Sequence, residues 1–424
     1  MNRTEFERVA ETFASFHREF APLFGRPEAV DHAEQYVRGL LVQQTDRRNA
    51  ENVSEVVEGA APRSLQRFLT ESPWSSERVI DRLQRYLGQR LTSPDGIFVI
   101  DGSEFPKQGK KSVGVARQYC GRLGKIANCQ AGVFLTYVSE RGHALVDAHL
   151  YLPQEWTEDA ERRQAAGVPE AVSYQSKADL ALASLRQARK AGHLAGRWVT
   201  ADEDYGKVPA FRDALDAENW LYVLEVPCTT PVFTQFAKTE VPAWAGNGRK
   251  PSRPRLVEGE PGSQSVEEVA RGVAAADWHV LTVAEGAQGP RSYQFAAQRV
   301  WESREELPGR ACWLVLRRNL DGSELKYYLS NAPADTSLSR LAHVGSMRWC
   351  IETDLQTTKG EAGLDEYEVR SWQGWHHHMV LAMLAAAFLL TLQLDWGEKD
   401  APDHAATGQP GAACSAPAAN LDAR

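Results

Sequence analysis

Several things are scarce in this chain, and each scarcity removes a class of protein. Its 424 residues hold six cysteines. They stand apart at Cys120, Cys129, Cys228, Cys312, Cys350 and Cys414, with no CxxC pair. That spacing gives no zinc site and no disulfide framework, so the expectation is a reducing, cytoplasmic setting. Basic charge is not in excess: 48 Lys and Arg face 56 Asp and Glu, for a net charge of -8 and a pI near 5.8. A uniformly basic nucleic-acid coat is thereby excluded. A local basic groove is not, because binding answers to the local field. The one membrane-like run, Met379 to Leu394, falls short of the roughly 20 apolar residues of a span and reads as a buried helix. The start, Met1 to Glu7, is charged and lacks the apolar core of a signal peptide.

What is present is a soluble-looking composition, 43% hydrophobic and 25% charged, long enough for two or three domains. Residues 1–92 carry apolar positions at helical spacing, as in Ala33–Val42 and Val79–Leu87, with Ser76 as a predicted N-cap. Arginines are dense there (Arg38, Arg47, Arg48, Arg63, Arg67, Arg78, Arg82, Arg85). They suit phosphate contact as well as they suit a solvated surface. From residue 93 the pattern turns to strands. Ile97–Asp101, Ala131–Val138 and Ala144–Leu152 read as three antiparallel strands, with a turn at Glu140–His143. A helix follows over 176–191, then a strand ending at Asp202, a helix over 209–217 and a strand over 221–226. That order is the topology of an RNase H-like sheet. Residues 227–341 are first rich in Pro and Gly, then strand-like, and read as a β-rich insertion. Residues 342–397 return to helix, and 398–424 are compositionally a disordered tail. The predicted fold class is therefore α/β: an RNase H-like mixed sheet with an N-terminal helical domain and a β-rich insertion before the last catalytic helix.

Three carboxylates punctuate this layout. Asp101 and Asp202 each end an apolar strand, and Glu352 lies in a helical stretch. Hard carboxylate oxygens suit Mg2+, and two such ions can activate an attacking oxygen and stabilise a leaving one in phosphodiester cleavage. Taken singly, an acid at a strand end caps a helix or faces solvent as often as it binds metal. The conjunction on adjacent elements is what carries the inference. After Asp101 comes a basic, glycine-punctuated segment, Phe105 to Gly114, with Lys107, Lys110 and Lys111, followed by Arg117, Arg122 and Lys125. It can grip a phosphate backbone. It lacks the first glycine of GxxxxGK[ST], so no nucleotide cofactor is expected. Around Glu352, Arg348 and Lys359 recur on one helical face, either as phosphate contacts or as surface salt-bridge partners. His376, His377 and His378 point in different directions on a helix and cannot share one metal ion. Trp301 and Trp313 read as core residues before base-stacking ones.

Three blocks resemble those of the DDE transposases of the insertion-sequence-701 family. They are Asp101-Gly-Ser-Glu-Phe-Pro-Lys-Gln-Gly-Lys-Lys-Ser-Val-Gly114 with its continuation to Gly121, Ala201-Asp-Glu-Asp-Tyr-Gly206, and Arg348-Trp-Cys-Ile-Glu352 with Lys359 and Gly363–Trp372. The resemblance runs from about residue 15 to residue 394. It implies an RNase H-like catalytic core, and metal ligation by Asp101, Asp202 and Glu352. It also implies two Mg2+ ions per site, with Mn2+ as a substitute. The expected partners are DNA, as terminal inverted repeats and as target, and a second copy of the chain in the DNA complex. The expected setting is the cytoplasm, at the nucleoid, with no membrane. Arg348 and Lys359 match the Arg and Lys of a Tyr-x2-Arg-x3-Glu-x6-Lys signature, whose Tyr position is Gly345 here. An inactive or domesticated DNA-binding descendant and a stand-alone RNase H-like nuclease are the alternatives.

Overall fold

The computed structural model describes residues 3–42, 47–244, 246–247, 249–284 and 289–400. Helices come first: α1 (Arg3–Phe20), α2 (Pro27–Leu41), α3 (Ala50–Val56), α4 (Pro62–Thr70) and α5 (Ser76–Leu91). Strands β1 (Ile97–Pro106), β2 (Ala116–Cys120), β3 (Lys125–Ser139) and β4 (Gly142–Tyr151) follow, then α6 (Gln154–Thr157), α7 (Ala160–Ala165) and α8 (Lys177–Ala191). Next are β5 (Trp198–Ala201), α9 (Glu203–Gly206), α10 (Pro209–Ala217) and β6 (Leu221–Val226). The insertion holds β7 (Pro231–Phe233), β8 (Thr239–Glu240), β9 (Arg255–Leu256), β10 (Gln264–Ser265), α11 (Val266–Arg271), β11 (His279–Ala284), β12 (Arg291–Arg304), β13 (Leu307–Arg318) and β14 (Lys326–Ser330). Helices α12 (Leu338–Ser346), α13 (Arg348–Ala362) and α14 (Trp372–Asp400) close the chain. Residues 398–400 of the predicted tail are thus the end of α14, and the rest of that tail lies outside the described residues. Two compact units result. The first comprises the described residues up to Gly196 and from Trp349 on, and the second comprises Arg197–Arg348.

In the first unit the sheet is built on β3. Its register with β1 runs from Ile97↔Val138 to Pro106↔Cys129, and with β4 from Ala131↔Tyr151 to Ser139↔Gly142, all antiparallel. Cys129 pairs with both Pro106 and Ala116, so β2 shares the far edge of β3 with β4, end to end. Alternation along the strands gives each face its own partner. Glu104 points to α8, where Lys177 Nζ lies 3.4 Å away. Ser103, one residue earlier, points to α13. Helix α8 begins because Ser176 and Asp179 form a capping box, and it stops at Gly192, whose φ of 68° suits a residue without Cβ. The predicted cap of α5 is displaced by one residue: Ser75, not Ser76, accepts from Arg78 N.

Helix α14 is the apolar run of the sequence, and it is longer than Met379–Leu394. Among the described residues it is the one helix long and apolar enough to cross a membrane, over Trp372–Trp396 with mean hydropathy 1.8, yet 67% of that stretch is buried inside the protein. It packs on α2, α4, α5 and β4 as a core helix.

The second unit begins with a parallel pair, β5 and β6, in register from Trp198↔Leu221 to Ala201↔Leu224, joined through α9 and α10. Parallel neighbours need such a crossover. Strand β14 pairs antiparallel with β6 (Tyr328↔Glu225), β13 with β14, and β12 with β13. The insertion therefore extends the β6 edge. Val226, Val300, Leu314, Leu316 and Leu329 share one core with α11 residues Val266 and Val269. The fold is the predicted mixed α/β class. Antiparallel β1, β3 and β4 are followed by α8, β5, α10 and β6, the RNase H-like order, with one unforeseen strand, β2.

Candidate active site

The predicted residues fall into the two units as follows. Asp101 stands in β1 of the first unit, half-buried, and its Oδ1 accepts from Gly102 N at 2.7 Å. Glu352 is an exposed residue of α13 in the same unit. Asp202 belongs to the second unit, at the end of β5.

Within the first unit, α13 is fixed on the sheet face that carries Asp101. Asp101, Ser103 and Phe105 alternate onto that face, and Phe134 and Thr136 stand opposite Asp101 and Val99 in register. Lys359 Nζ donates to Ser103 Oγ at 2.7 Å and lies 5.8 Å from the Phe105 ring centroid. Burial lowers the Lys359 pKa, while Asp365, Glu104 and Asp101 pull it back up. Asp354, also on α13, accepts from Thr136 Oγ1 at 2.9 Å and meets His143 Nδ1 at 2.6 Å. These contacts set the rotation of the helix. Seven residues separate Glu352 from Lys359, two turns of one helix, so both lie on the same side of α13.

In the second unit, Asp202 acts as a helix cap: it N-caps α9, with Oδ1 accepting from Asp204 N at 3.0 Å. Its environment is nonetheless unusual. Burial and the neighbouring charge of Asp204 push its pKa up to about 6, and the Arg348 guanidinium only partly offsets this. A carboxylate that is half-desolvated beside a like charge is one that a cation stabilises. Arg348 Nε also lies 3.6 Å from Glu225 Oε2, and Lys326 Nζ lies 2.6 Å from Glu225 Oε1. Among the described residues, no three His, Cys, Asp or Glu side chains are gathered into a ready metal cluster. The donor chemistry of Asp101, Asp202 and Glu352, all carboxylate, fits a hard ion such as Mg2+.

The basic segment divides. Lys110, Lys111 and Arg117 are exposed. Lys107 is turned inward: Nζ donates to Tyr367 O at 3.1 Å and sits 3.6 Å from the Tyr367 ring centroid. Burial lowers its pKa to about 8. Lys110 and Lys111 line a cleft of about 870 Å3 together with Arg162, Arg370, Glu51, Glu71 and Glu368. Asp101, Glu352 and Lys359 do not line it.

The histidine run is structural. His376 Nδ1 meets Trp372 O at 2.9 Å, and His377 Nε2 meets Trp74 O at 3.0 Å. His378 Nε2 meets Gly363 O at 3.1 Å while its Nδ1 faces Tyr36 Oη at 2.9 Å. Burial drives the pKa of His377 and of His378 down to about 4. Trp301 and Trp313 are half-buried, and Trp313 Nε1 donates to Pro333 O at 3.0 Å.

Sequence reasoning missed Ser103, Asp354, His143 and Glu225. Ser103 was within reach, because it shares the period-two face of Asp101. Glu225 carried the signal used for Asp101 and Asp202, an acid near the end of an apolar strand. Asp354 and His143 had no signal, since their pairing spans 211 residues.

The profile of the DDE superfamily endonucleases matches residues 19–290, more than half of the chain, and the chain belongs to that family. The matched span contains Asp101 and Asp202 and ends before Glu352. The chain is also similar to "Probable transposase for insertion sequence element IS701" of Microchaete diplosiphon, 26% identical over 195 residues. That alignment covers 46% of this chain and 48% of the relative, so the chain spans about half the length of the curated relative it matches. The family and this relative agree with the insertion-sequence-701 resemblance of the sequence blocks. Among solved structures, a piggyBac transposase synaptic complex with hairpin DNA aligns with TM-score 0.35 and 11% identity, over 72% of this chain and 49% of that one. The NurA nuclease of Sulfolobus solfataricus aligns with TM-score 0.23 and 10% identity, over 76% and 92%. Neither likeness carries weight for function at those scores.

Proposed function

We propose that this protein is a DDE-type transposase, cleaving and joining DNA at the terminal inverted repeats of an insertion sequence by two-metal phosphoryl transfer. The observation that carries the reading is the seating of α13. Lys359 touches Ser103 on the strand face of Asp101, and Glu352 lies two turns away on the same side of the helix. Family membership supports the same chemistry.

In this reading Asp101, Asp202 and Glu352 hold the metal ions. When bound, two Mg2+ ions, or Mn2+ in their place, supply activation of the attacking oxygen and stabilisation of the leaving one. Arg348 and Lys359 counter negative charge developing on the scissile phosphate. Lys110, Lys111 and Arg117 grip the backbone, and Lys107 serves mainly to anchor their loop on Tyr367. The N-terminal helices 1–92 contribute further DNA contacts, and two copies act together on a pair of ends, in the cytoplasm at the nucleoid. Carboxylates at all three positions, Asp101, Asp202 and Glu352, favour an enzyme over an inactive descendant.

The test is end cleavage by the purified protein on a duplex bearing the inverted repeats that flank its gene. Asp101→Ala should abolish cleavage and leave duplex binding in a gel shift nearly intact, since the acid holds metal and does not grip DNA. Binding lost together with cleavage would count against the assignment.

A further inference from the structure

We propose that the tip of the β2–β3 hairpin is a platform on which an unpaired DNA base stacks, flanked by the basic loop at 107–111. The inference rests on the DNA-cutting reading above and assigns the hairpin a task within it. Tyr119 and Ile126 are direct cross-strand partners. They are 64% and 62% exposed, and Leu123 in the intervening turn is 45% exposed. Cross-strand aromatic and β-branched pairs ordinarily stabilise a sheet by covering each other and a core. This pair is mostly uncovered, yet the hairpin is held in place. Glu104 Oε2 accepts from Gly121 N at 3.3 Å, Arg122 pairs with Asp365, and Gly124 makes the turn with a φ of 61°. A preformed apolar surface loses little entropy when something lands on it.

The charges beside the pair say what lands. Arg117 lies two residues before Tyr119 and pairs with Asn128, so both share the face of Tyr119 and Ile126. Asn128 Nδ2 donates to Lys107 O at 2.7 Å and to Gly109 O at 2.9 Å, which anchors the loop bearing Lys110 and Lys111 at the border of that face. An aromatic ring beside exposed cations is the surface that unpaired nucleic acid uses: cations take phosphates, and any base offers a π-face for stacking. A second copy of the chain fits less well, because a two-fold contact here would bring Lys110, Lys111 and Arg117 against their own duplicates. Glu104 lies three residues from Asp101 on β1, roughly 10 Å along the strand. The stacked base would therefore sit within a few nucleotides of the proposed cutting position.

The experiment uses the full chain and two probes, a fully paired duplex and the same duplex with a short single-stranded extension carrying 2-aminopurine at the junction. With the wild type and Tyr119→Phe, the extension should bind more tightly than the paired duplex and its fluorescence should be quenched by stacking. Tyr119→Ala should bind the extended probe about tenfold more weakly, as base–aromatic stacking predicts, lose the quench, and keep its affinity for the paired duplex and its melting temperature. Unchanged affinity and quench in Tyr119→Ala would overturn the proposal. So would sedimentation showing a DNA-free dimer that Tyr119→Ala dissociates, which would make the face a contact between copies. A wild type that binds both probes equally refutes the platform alone. A wild type that binds neither refutes the DNA-cutting reading itself.

Discussion

Lys359 Nζ donates to Ser103 Oγ across 2.7 Å, from α13 to β1, although 256 residues separate them in sequence. The bond ties the helix that carries Glu352 to the strand face that carries Asp101. Burial works against the charge on Lys359, and the acids around it, Asp365 first, work for it. A cation kept at such a cost beside an acid is one whose removal should be measurable in rate.

Lys359→Ala should reduce single-turnover cleavage by about ten- to hundred-fold. That is what losing a charge-assisted contact of roughly 1.5–3 kcal/mol implies, at about 1.4 kcal/mol per tenfold. Arg348→Ala should behave alike in rate. A wild-type rate in both variants, with only a small change in melting temperature, would show that the cations serve α13 alone.

Asp354 is predicted to matter for stability. It bridges Thr136 on β3 and His143 on β4, and removing it leaves both partners to lose their bonds in a largely buried setting. Asp354→Ala should lower the unfolding free energy by about 1–3 kcal/mol. Thr136→Val, which removes one bond and keeps the shape, should cost less. Urea unfolding of the two variants checks the order, and equal stability to wild type in Asp354→Ala would remove the clamp from the account.

The second unit has a buried ion network of its own. Arg212 Nε lies 3.1 Å from Glu302 Oε1, with side-chain exposures of 5% and 2%, and Arg304 Nε donates to Glu302 Oε2 at 2.7 Å. Arg212 also donates to the Gly206 carbonyl at the end of α9, the helix capped by Asp202. Glu302→Ala should therefore destabilise by about 3–5 kcal/mol, because it strands a buried guanidinium. Replacing Arg212 and Glu302 together by Met and Leu should cost markedly less. Chemical denaturation of single and double variants decides it, and additive losses would sink the network.

Acid should destabilise the protein through α14. His377 and His378 are buried and hydrogen-bonded to carbonyl oxygens in their neutral form, with pKa values near 4 against 6.5 for the free side chain. As the pH falls through 6.5 the unfolded chain takes up protons and the folded chain does not. Stability is then lost between about pH 6.5 and 4 and changes little from this source outside that window. At about 1.4 kcal/mol per pH unit, the limit is roughly 3 kcal/mol for each histidine. Unfolding free energies measured from pH 7 to 4 should trace that decline, and a flat profile would mean that these histidines take up protons as readily in the folded chain as in the unfolded one.

Much of this was legible in the sequence because it is local. Apolar periodicity placed α8, α10, β5 and β6, and the strand-ending positions of Asp101 and Asp202 followed from the same alternation. The helical spacing of Arg348, Glu352 and Lys359 needed only the α-helical repeat, and all three fall in α13. The divergent directions of His376, His377 and His378 followed from the same repeat. Tertiary structure decided which neighbour each exposed or buried group meets. It turned Lys107 inward onto Tyr367, left Lys110 and Arg117 outside, and raised β2 into a hairpin whose Tyr119 and Ile126 stay uncovered. It also joined Lys359 to Ser103 and Asp354 to His143. The physical reason is range. Backbone periodicity is set by residues within a turn or a pleat of one another, whereas burial, desolvation and ion pairing depend on groups that are brought together only when β1, β3, β4 and α13 assemble.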